Sequence, residues 1–329
     1  MNDLRFSHLP VLGIDSSKAT FDAHLTVGSR SHHAQFANGP EGFARLDGWL
    51  KIHGVAQCLG GLEATGPYGV SLLWHLHSQG HVACLLNPRH VKDYGRSQGR
   101  RIKTDRADAA LINAYLKASN PLRPWQAPTQ ALVELQALVR RRQQILDALQ
   151  AERNRQDTGR TAAVVASLLR HIQQLRTELK VLDQTIDTHV LEHTALQHSV
   201  RLLRTIPGIG RMVALTILAE VPALSAFARA RDLAAFAGLT PSVSESGTSV
   251  RRKGRLTKEG SALLRKMLYM AALQAAGRPT NALHRCYKAF VQRGKSKMCA
   301  LGAIMHKLIR IAFGVLKHQH PFVENFAHG

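Results

Sequence analysis

The sequence predicts an α/β domain built on a mixed sheet, followed by an all-α region: a helical coiled coil and then a mainly helical C-terminal domain. The first third alternates β-branched, apolar runs with segments of helical spacing. The middle third lacks proline from residue 131 to residue 200, and the last third carries long apolar stripes at helical spacing. We therefore expect domains at residues 1–124, 125–200 and 201–329.

The first third is predicted to contain five strands and three helices. Two strands around a turn are expected within residues 11–27, further strands at 30–36, 55–62 and 81–86, and helices at 40–53, 67–79 and 104–117. The resulting order β-β-β-α-β-α-β-α is that of a ribonuclease-H-like domain. Tyr94 with the pair Gly95 and Gly99 predicts a mobile segment before the last of these helices.

The proline-rich run PLRPWQAPTQ predicts a linker between the first domain and the helical spacer. Helices predicted at residues 131–155 and 161–200 favour an antiparallel helical hairpin or a coiled coil, and hence self-association. Helical segments in the last third are expected at 202–205, 212–220, 260–276 and 297–316.

The charge of the chain points to a polyanionic partner. The 329 residues carry 44 Lys and Arg against 22 Asp and Glu, a formal net charge of +22, and residues 201–329 hold 21 of those cations against 5 acids. Lys and Arg gain affinity for nucleic acids by releasing counterions from phosphates.

With no signal peptide and no run of about 18 apolar residues, we expect a cytoplasmic protein that binds no membrane. The four cysteines form no CxxC pair and are interpreted as reduced core thiols.

Four acids stand at the ends of predicted elements in the first third. Asp15 and Glu63 each end an apolar strand, whereas Asp105 and Asp108 lie three residues apart at the start of a helix and share one face. Such carboxylates form a cage of hard oxygens suited to Mg²⁺ and to phosphoryl transfer. Each acid alone has a plainer interpretation: Asp15 as a turn former, Glu63 as a helix start, and Asp105 as a complement to a helix dipole.

Three short basic or glycine-rich segments are candidates for contact with nucleic acid. Cations surround the predicted acidic helix start, with a solvated loop as the alternative: Arg96, Arg100, Arg101, Lys103 and Arg106. In the hairpin Ile206–Gly210, Gly208 and Gly210 can turn backbone N–H groups toward a phosphate, although a plain tight turn has the same sequence.

The third segment sets a glycine-flanked serine beside a basic run. Ser246 precedes Gly247, and the cations Arg251, Arg252, Lys253, Arg255 and Lys258 follow within a few residues. This combination predicts phosphate chemistry, with a solvated loop as the alternative. The neighbouring Ser242, Ser244 and Ser249 cannot be separated from Ser246 on chemical grounds.

A series of motifs resembles the DEDD insertion-sequence transposases, the bridge-RNA-guided recombinases, in order and spacing over nearly the whole chain. The motifs are GIDSSK (13–18), LEATGPY (62–68), KTDRADA (103–109), IPGIG (206–210), FAGLTP (236–241), SGTSVR (246–251), and RLTKEG with LLRKMLYMAA (255–272).

This resemblance implies a RuvC-like N-terminal domain whose DEDD tetrad, here Asp15, Glu63, Asp105 and Asp108, holds Mg²⁺. It also implies a coiled coil that mediates assembly and a C-terminal transposase domain with a serine nucleophile, here Ser246. The implied partners are target and donor DNA, a structured bridge RNA that pairs with both, and further copies of the chain, as dimers that assemble into a tetramer.

The corresponding hypothesis is that Ser246 attacks the scissile phosphate and forms a 5′-phosphoserine link, so that strands rejoin without ATP. Two other functions remain open from the sequence. A RuvC-like metal-dependent junction nuclease would use water and form no covalent intermediate. A scaffold that binds RNA or DNA on a degenerate nuclease fold would have no activity, but usually lacks one of the four acids.

Overall fold

The computed structural model describes residues 6, 8–64, 66–99, 104–119, 122–159, 161–221, 224–246 and 250–324, with the backbone alone at residues 67, 225, 242–246 and 250–254. The chain divides into two compact units, Met1–Ala127 and Pro128–Gly329. The expected finer division, with boundaries at residues 124 and 200, stays a prediction.

The first unit is built on a five-stranded mixed sheet. Its strands are β1 (Val11–Ser16), β2 (Thr20–Val27), β3 (Arg30–Ala37), β4 (Leu59–Glu63) and β5 (Val82–Leu86). They lie in the order β3-β2-β1-β4-β5, antiparallel among the first three and parallel from β1 to β4 and β5. The helices are α1 (Pro40–Ile52), α2 (Val70–Ser78), α3 (Pro88–Ser97) and α4 (Asp105–Ala118). The predicted ribonuclease-H-like order is confirmed.

Both faces of this sheet are covered, because alternate residues of a strand point to opposite sides. Leu12 and Ile14 of β1 join one buried cluster, and Val11 joins a second cluster with Ile112 and Leu116 of α4. Sequence alternation along β1 therefore fixes which of its residues face α4.

The segment predicted to be mobile is helical. Asn87 caps α3, since its side chain accepts a hydrogen bond from the Arg89 N–H at 3.0 Å, and Pro88 occupies the first turn. Gly95 lets α3 approach α4, because a Cβ there would lie 2.9 Å from a methyl carbon of Leu111. The glycine that indicated mobility is required for close packing.

The second unit begins with two long helices, α5 (Gln130–Asp157) and α6 (Ala162–Glu192). They form an antiparallel hairpin: Arg142 near the middle of α5 pairs with Asp183 at 2.7 Å, and Glu152 near its end lies 3.4 Å from His171. The predicted hairpin is confirmed, and self-association through it stays a prediction.

In the described part of the second unit, six further α-helices, one short 3-10 turn (Leu224–Ala226) and one β-hairpin follow. The elements are α7 (Thr194–Leu203), α8 (Arg211–Glu220), α9 (Ala230–Phe236), β6 (Pro241–Ser246), β7 (Val250–Leu256), α10 (Ala262–Gly277), α11 (Ala282–Gln292) and α12 (Lys297–His318). One buried cluster extends from Leu135 of α5 to Leu316 of α12. The β-hairpin was not predicted.

Two expectations from composition need correction. Cys58 and Cys84 are buried thiols, but Cys286 is half-buried and Cys299 is exposed, so only two of the four are core residues. Helix α12 is long and apolar enough to cross a membrane by length and composition, with a mean hydropathy of 1.6, although no such run was expected. Its most apolar window is 56% buried within the second unit, as in the core helix of a globular domain.

Candidate active site

Asp15 and Glu63 lie at the same edge of the sheet. Strands β1 and β4 are parallel neighbours, and the last pair in their register is Ile14 with Leu62. Asp15 and Glu63 follow this pair directly, each half-buried. The structure therefore brings together the two strand-end acids that the sequence singled out.

Helix α4 carries the other two acids to this edge. A Cβ on Gly13 would lie 2.2 Å from the Ala109 carbonyl oxygen, so α4 crosses directly over β1. The Asn113 side chain donates to the Val11 carbonyl at 2.6 Å, which shows that α4 runs antiparallel to β1. The first turn of α4, with Asp105 and Asp108, therefore lies toward the end of β1 that carries Asp15.

The acids at this edge perturb one another electrostatically. Burial, followed by the charges of Asp108, Asp105 and Asp22, raises the pKa of Asp15 to about 6. Burial, followed by the charges of Asp15 and Asp108, raises the pKa of Glu63 to about 7. The negative charge of these carboxylates is therefore not fully neutralised by nearby positive groups. Near neutral pH, binding a proton or another cation would lower the electrostatic energy of the cluster.

Asp22 is a fifth acid at this edge, and the sequence reasoning missed it. It is opposite Asp15 in the β1–β2 register and only 5% exposed. Its carboxylate accepts from Gln35 at 2.9 Å and lies 2.7 Å from the ring nitrogen of His33. A charged residue between Phe21 and Ala23 in a buried strand was the available signal, but its neighbours depend on strand register.

Asn113 fixes α4 to the sheet, and it was also missed. This residue is 2% exposed, and its amide donates to the carbonyls of Val11 at 2.6 Å and His24 at 3.0 Å. Its Oδ1 accepts from the Thr26 hydroxyl at 3.1 Å. All of these bonds reach residues of the sheet, so Asn113 is a positioning residue for the acids one and two turns earlier.

The donor set has the chemistry that a divalent cation requires, because carboxylate oxygens are the preferred ligands of Mg²⁺. Among the residues that the structure describes, no three His, Cys, Asp or Glu side chains lie close enough to hold one ion. The charge of Asp108 nevertheless contributes to the raised pKa of both Asp15 and Glu63, so the acids lie within electrostatic range. Their like charges repel one another.

The basic residues expected beside this edge are only partly described. Arg100, Arg101 and Lys103 lie outside the described residues. Arg96 forms an ion pair with Asp93 at 3.4 Å on α3, and Arg106 is exposed in the first turn of α4. Phosphate contact by this group stays a prediction.

Ser246 and the following cations lie on the two strands of one hairpin. Ser246 is the last residue of β6 and is opposite Val250 of β7, while Glu245 is opposite Arg251 and Ser244 is opposite Arg252. Lys253 and Arg255 continue β7. Residues 247–249, which join the strands, lie outside the described residues. The hairpin backbone thus places the predicted nucleophile and the predicted cations side by side.

The base of this hairpin is held by two glycines and an arginine. Gly238 has a φ of +68°, and a Cβ there would lie 2.0 Å from the Glu259 carbonyl oxygen. Gly260 has a φ of +77° and makes the same close approach to Phe236. The Arg265 guanidinium donates to the carbonyls of Glu259 at 2.7 Å and Gly260 at 3.1 Å. Arg265, missed in the sequence, therefore anchors the returning strand, next to exposed Lys258.

The glycines between α7 and α8 have different surroundings. Gly208 has a φ of +87°, and a Cβ there would lie 2.4 Å from the Ala271 carbonyl of α10, so close packing already requires glycine. Gly210 caps α8 and is exposed, with open space around the Cβ position. Phosphate contact at Gly208 and Gly210 stays a prediction.

Known proteins match the chain in both units. Residues 200–288 match the family described as "Transposase IS116/IS110/IS902 family", and residues 12–158 match the IS110 DEDD family described as "Transposase". The pilin gene-inverting protein of Moraxella bovis is 32% identical over 94% of this chain and 97% of its own length. The transposase for insertion sequence element IS1111A of Coxiella burnetii is 29% identical over 72% of each chain.

Among solved structures, T. thermophilus RuvC in complex with a Holliday junction substrate matches with a TM-score of 0.29 and 13% identity. The match covers 36% of this chain and 99% of RuvC. The sequence relatives carry the assignment, because their similarity extends over nearly all of the chain. This chain belongs to the IS110/IS116 family of DEDD transposases.

Proposed function

We propose that this transposase cuts and rejoins DNA with a divalent metal, Mg²⁺, held by Asp15, Glu63, Asp105 and Asp108. The observation that carries the proposal is the meeting of the β1 end, the β4 end and the first turn of α4 at one sheet edge. The raised pKa values of Asp15 and Glu63 support it, because uncompensated carboxylates gain most from a cation.

When bound, a divalent metal stabilises the charge that develops on the oxygens of a phosphoryl group during its transfer. Other residues of the chain hold the four carboxylates in position. Asn113 holds α4 against β1, and the β1–β4 register keeps Asp15 beside Glu63. Both contacts fix backbone atoms, so the acids are presented from rigid elements.

Within this proposal Ser246 is the nucleophile. Its Oγ forms a bond to the scissile phosphorus, the bond from phosphorus to the 3′ oxygen breaks, and the serine proton is transferred to that oxygen. The products are a 5′-phosphoserine and a free 3′-OH. Because the phosphodiester energy is kept in the covalent link, the reverse reaction with a different 3′-OH rejoins strands without ATP.

The cations that follow Ser246 neutralise charge on the phosphate in this scheme, with Arg251, Arg252, Lys253 and Arg255 as candidates and Lys258 at the hairpin base. The strand pairing of the hairpin supports this role, since β7 is directly beside β6. Preorganised cations of this kind stabilise developing charge more effectively than mobile ones.

The proposed partners are target DNA, donor DNA and a structured bridge RNA that selects both. The proposed assembly is a pair of dimers that form a tetramer, acting in the cytoplasm at the nucleoid. The family membership and the 21 cations against 5 acids in residues 201–329 support nucleic acid as the partner.

A junction nuclease without a covalent intermediate is the second candidate. The four acids all lie in the first unit, which could cleave DNA with water as the nucleophile. In that case the β6–β7 hairpin would only bind DNA, and no protein–DNA bond would form.

The test of the proposed function is recombination between two plasmids in cells, one with the DNA that flanks this reading frame and one with a target. We expect joined products only when the noncoding flank is transcribed, because the RNA is proposed to supply the pairing. Products that form equally well without that RNA would refute guidance by RNA. Cleaved DNA without joined products would favour the junction nuclease.

A further inference from the structure

Helices α10 to α12 contain no acid. From Gly260 to Val323 the sequence has 11 Lys and Arg and no Asp or Glu. Residues 130–192, which form α5 and α6, have 9 cations against 8 acids. The positive charge of the second unit is therefore concentrated at its C-terminal end.

Three consecutive cations of α5 have acidic partners within the protein. Arg140 lies 2.8 Å from Glu220, Arg141 lies 2.8 Å from Glu178, and Arg142 lies 2.7 Å from Asp183. These ion pairs offset the local charge of α5 and α6. Each of these three cations is therefore already neutralised by a carboxylate of the same chain.

Four cations on the second half of α11, in the turn that follows it and at the start of α12 have no such partner in the described part of the chain. Lys288, Arg293, Lys295 and Lys297, which we call the basic turn, are all exposed, and every residue from 292 to 299 is exposed with them. The structure records no acidic side chain within ion-pair distance of any of the four among the residues it describes. Other cations nearby have contacts: Arg285 lies 2.9 Å from Glu324, and Lys307 donates to the Cys286 sulfur at 3.0 Å.

The basic turn has a defined backbone. The Gly294 N–H donates to the Val291 carbonyl at 2.9 Å, and the Lys295 N–H donates to the Phe290 carbonyl at 3.1 Å. Gly294 has a φ of +79°, the left-handed conformation that ends α11 and favours glycine. Arg293, Lys295 and Lys297 therefore lie on or directly beside a turn with a fixed backbone, and Lys288 lies one helical turn earlier on α11.

Four like charges within ten residues repel one another, and at physiological salt this repulsion acts over a Debye length of about 8 Å. A polyanion removes the repulsion and releases its own counterions as it binds. The family matches cover residues 12–158 and 200–288, so most of the basic turn lies beyond them.

We infer that the basic turn binds the phosphate backbone of duplex DNA. This inference rests on the proposed function for its choice of DNA. The contact is to phosphates, so it supplies affinity and position rather than sequence preference.

The test is binding of a random-sequence duplex to the full-length protein in EDTA, measured by fluorescence anisotropy at several KCl concentrations. The variant Arg293→Gln, Lys295→Gln, Lys297→Gln is expected to bind about 10–100-fold more weakly at roughly 150 mM salt. The slope of log Kd against log salt should fall by about 2–3, or about 0.9 for each phosphate that the variant no longer neutralises.

The matched control removes the same charge from α6, as Arg170→Gln, Arg176→Gln, Lys180→Gln, at three exposed positions. We expect this variant to bind nearly as the wild type does. A second control, Lys295→Arg with Lys297→Arg, keeps the charge and should keep the affinity. Thermal melting of each variant confirms that its fold is intact.

An unchanged salt slope in the triple variant, or an equal loss of affinity in the α6 control, would overturn the inference. A parallel titration with structured RNA separates the two nucleic acids: a loss of affinity confined to RNA would also overturn it. These readouts involve no chemistry, so a failure of the Ser246 mechanism would leave them unaffected.

Discussion

Asp15→Asn is expected to reduce DNA strand cleavage by at least about 100-fold, because even the outer partners of metal ligands are worth about 10–100-fold. The substitution keeps the shape of the side chain and removes one charge from the sheet edge. A cleavage assay on labelled element-end DNA measures the effect. Asp108→Asn is expected to behave in the same way, since Asp108 contributes to the raised pKa of both Asp15 and Glu63.

The same substitution is expected to make the folded protein more stable, although it reduces cleavage. Because burial and neighbouring acids disfavour the charged form of Asp15 in the folded chain, Asn relieves that cost. We expect Asp15→Asn to melt at a higher temperature than the wild type in EDTA at about pH 7.5, where the Asp15 carboxyl is ionised. Loss of cleavage together with a gain in melting temperature separates a role in activity from simple unfolding.

Asp93→Asn is the matched control. Asp93 lies in the first unit and is about half exposed, with ion pairs to Arg89 and Arg96 on α3. Exposed pairs contribute about 0–1 kcal/mol, so little change in cleavage or melting is expected. Full cleavage by Asp15→Asn, with the control equally active, would contradict a catalytic role for this edge.

Ser246→Ala is expected to abolish the covalent protein–DNA adduct, because no other atom of that side chain can attack phosphorus. The adduct is detected as labelled DNA that migrates with the protein on a denaturing gel. Binding of uncut DNA should be unchanged, since alanine removes only the hydroxyl.

The neighbouring serines supply the controls. Ser242→Ala, Ser244→Ala and Ser249→Ala should each retain the adduct. An adduct that survives in Ser246→Ala would refute the assignment. Loss of the adduct in one of the other variants alone would identify that serine as the nucleophile.

Much of the fold could be predicted because its signals are local. The alternation of β1 and β2 and the apolar stripes of α10 and α12 are visible in single segments. Helix α3 was missed because Gly95 was interpreted as a sign of mobility, whereas it permits contact with Leu111. The β6–β7 hairpin was missed because its strands are polar and charged, and within the part of the chain that the structure describes they form a separate two-stranded sheet.

Asp15 and Glu63 could be predicted to lie together because parallel strands end at one edge of a sheet, and Asp105 and Asp108 because residues three apart share one face of a helix. Asp22 and Asn113 could not, because their roles depend on tertiary register. Asp22 faces Asp15 only through the β1–β2 pairing, and Asn113 reaches the Val11 and His24 carbonyls only after α4 packs on the sheet. Neither relationship is contained in a short segment of sequence.

The raised pKa values also set how the metal-free protein responds to pH. In the unfolded chain Asp15 and Glu63 ionise near their ordinary pKa values of 3.8 and 4.5, and in the folded chain near 6 and 7. The folded state therefore binds more protons in this range, and its stability falls as pH rises from about 4 to 7. A bound divalent cation would offset that loss of stability, most strongly above about pH 7.

Calorimetric titration of Mg²⁺ or Mn²⁺ into the DNA-free protein shows whether the four acids hold a divalent cation. We expect binding at about pH 7.5 that is lost in the Asp15→Asn, Asp108→Asn double variant. Because Asp15 and Glu63 must lose their protons, with pKa values of about 6 and 7, affinity should fall by about 100-fold at roughly pH 5.5. Equal metal binding by wild type and double variant, or binding that is independent of pH, would contradict a metal site at the ends of β1, β4 and α4.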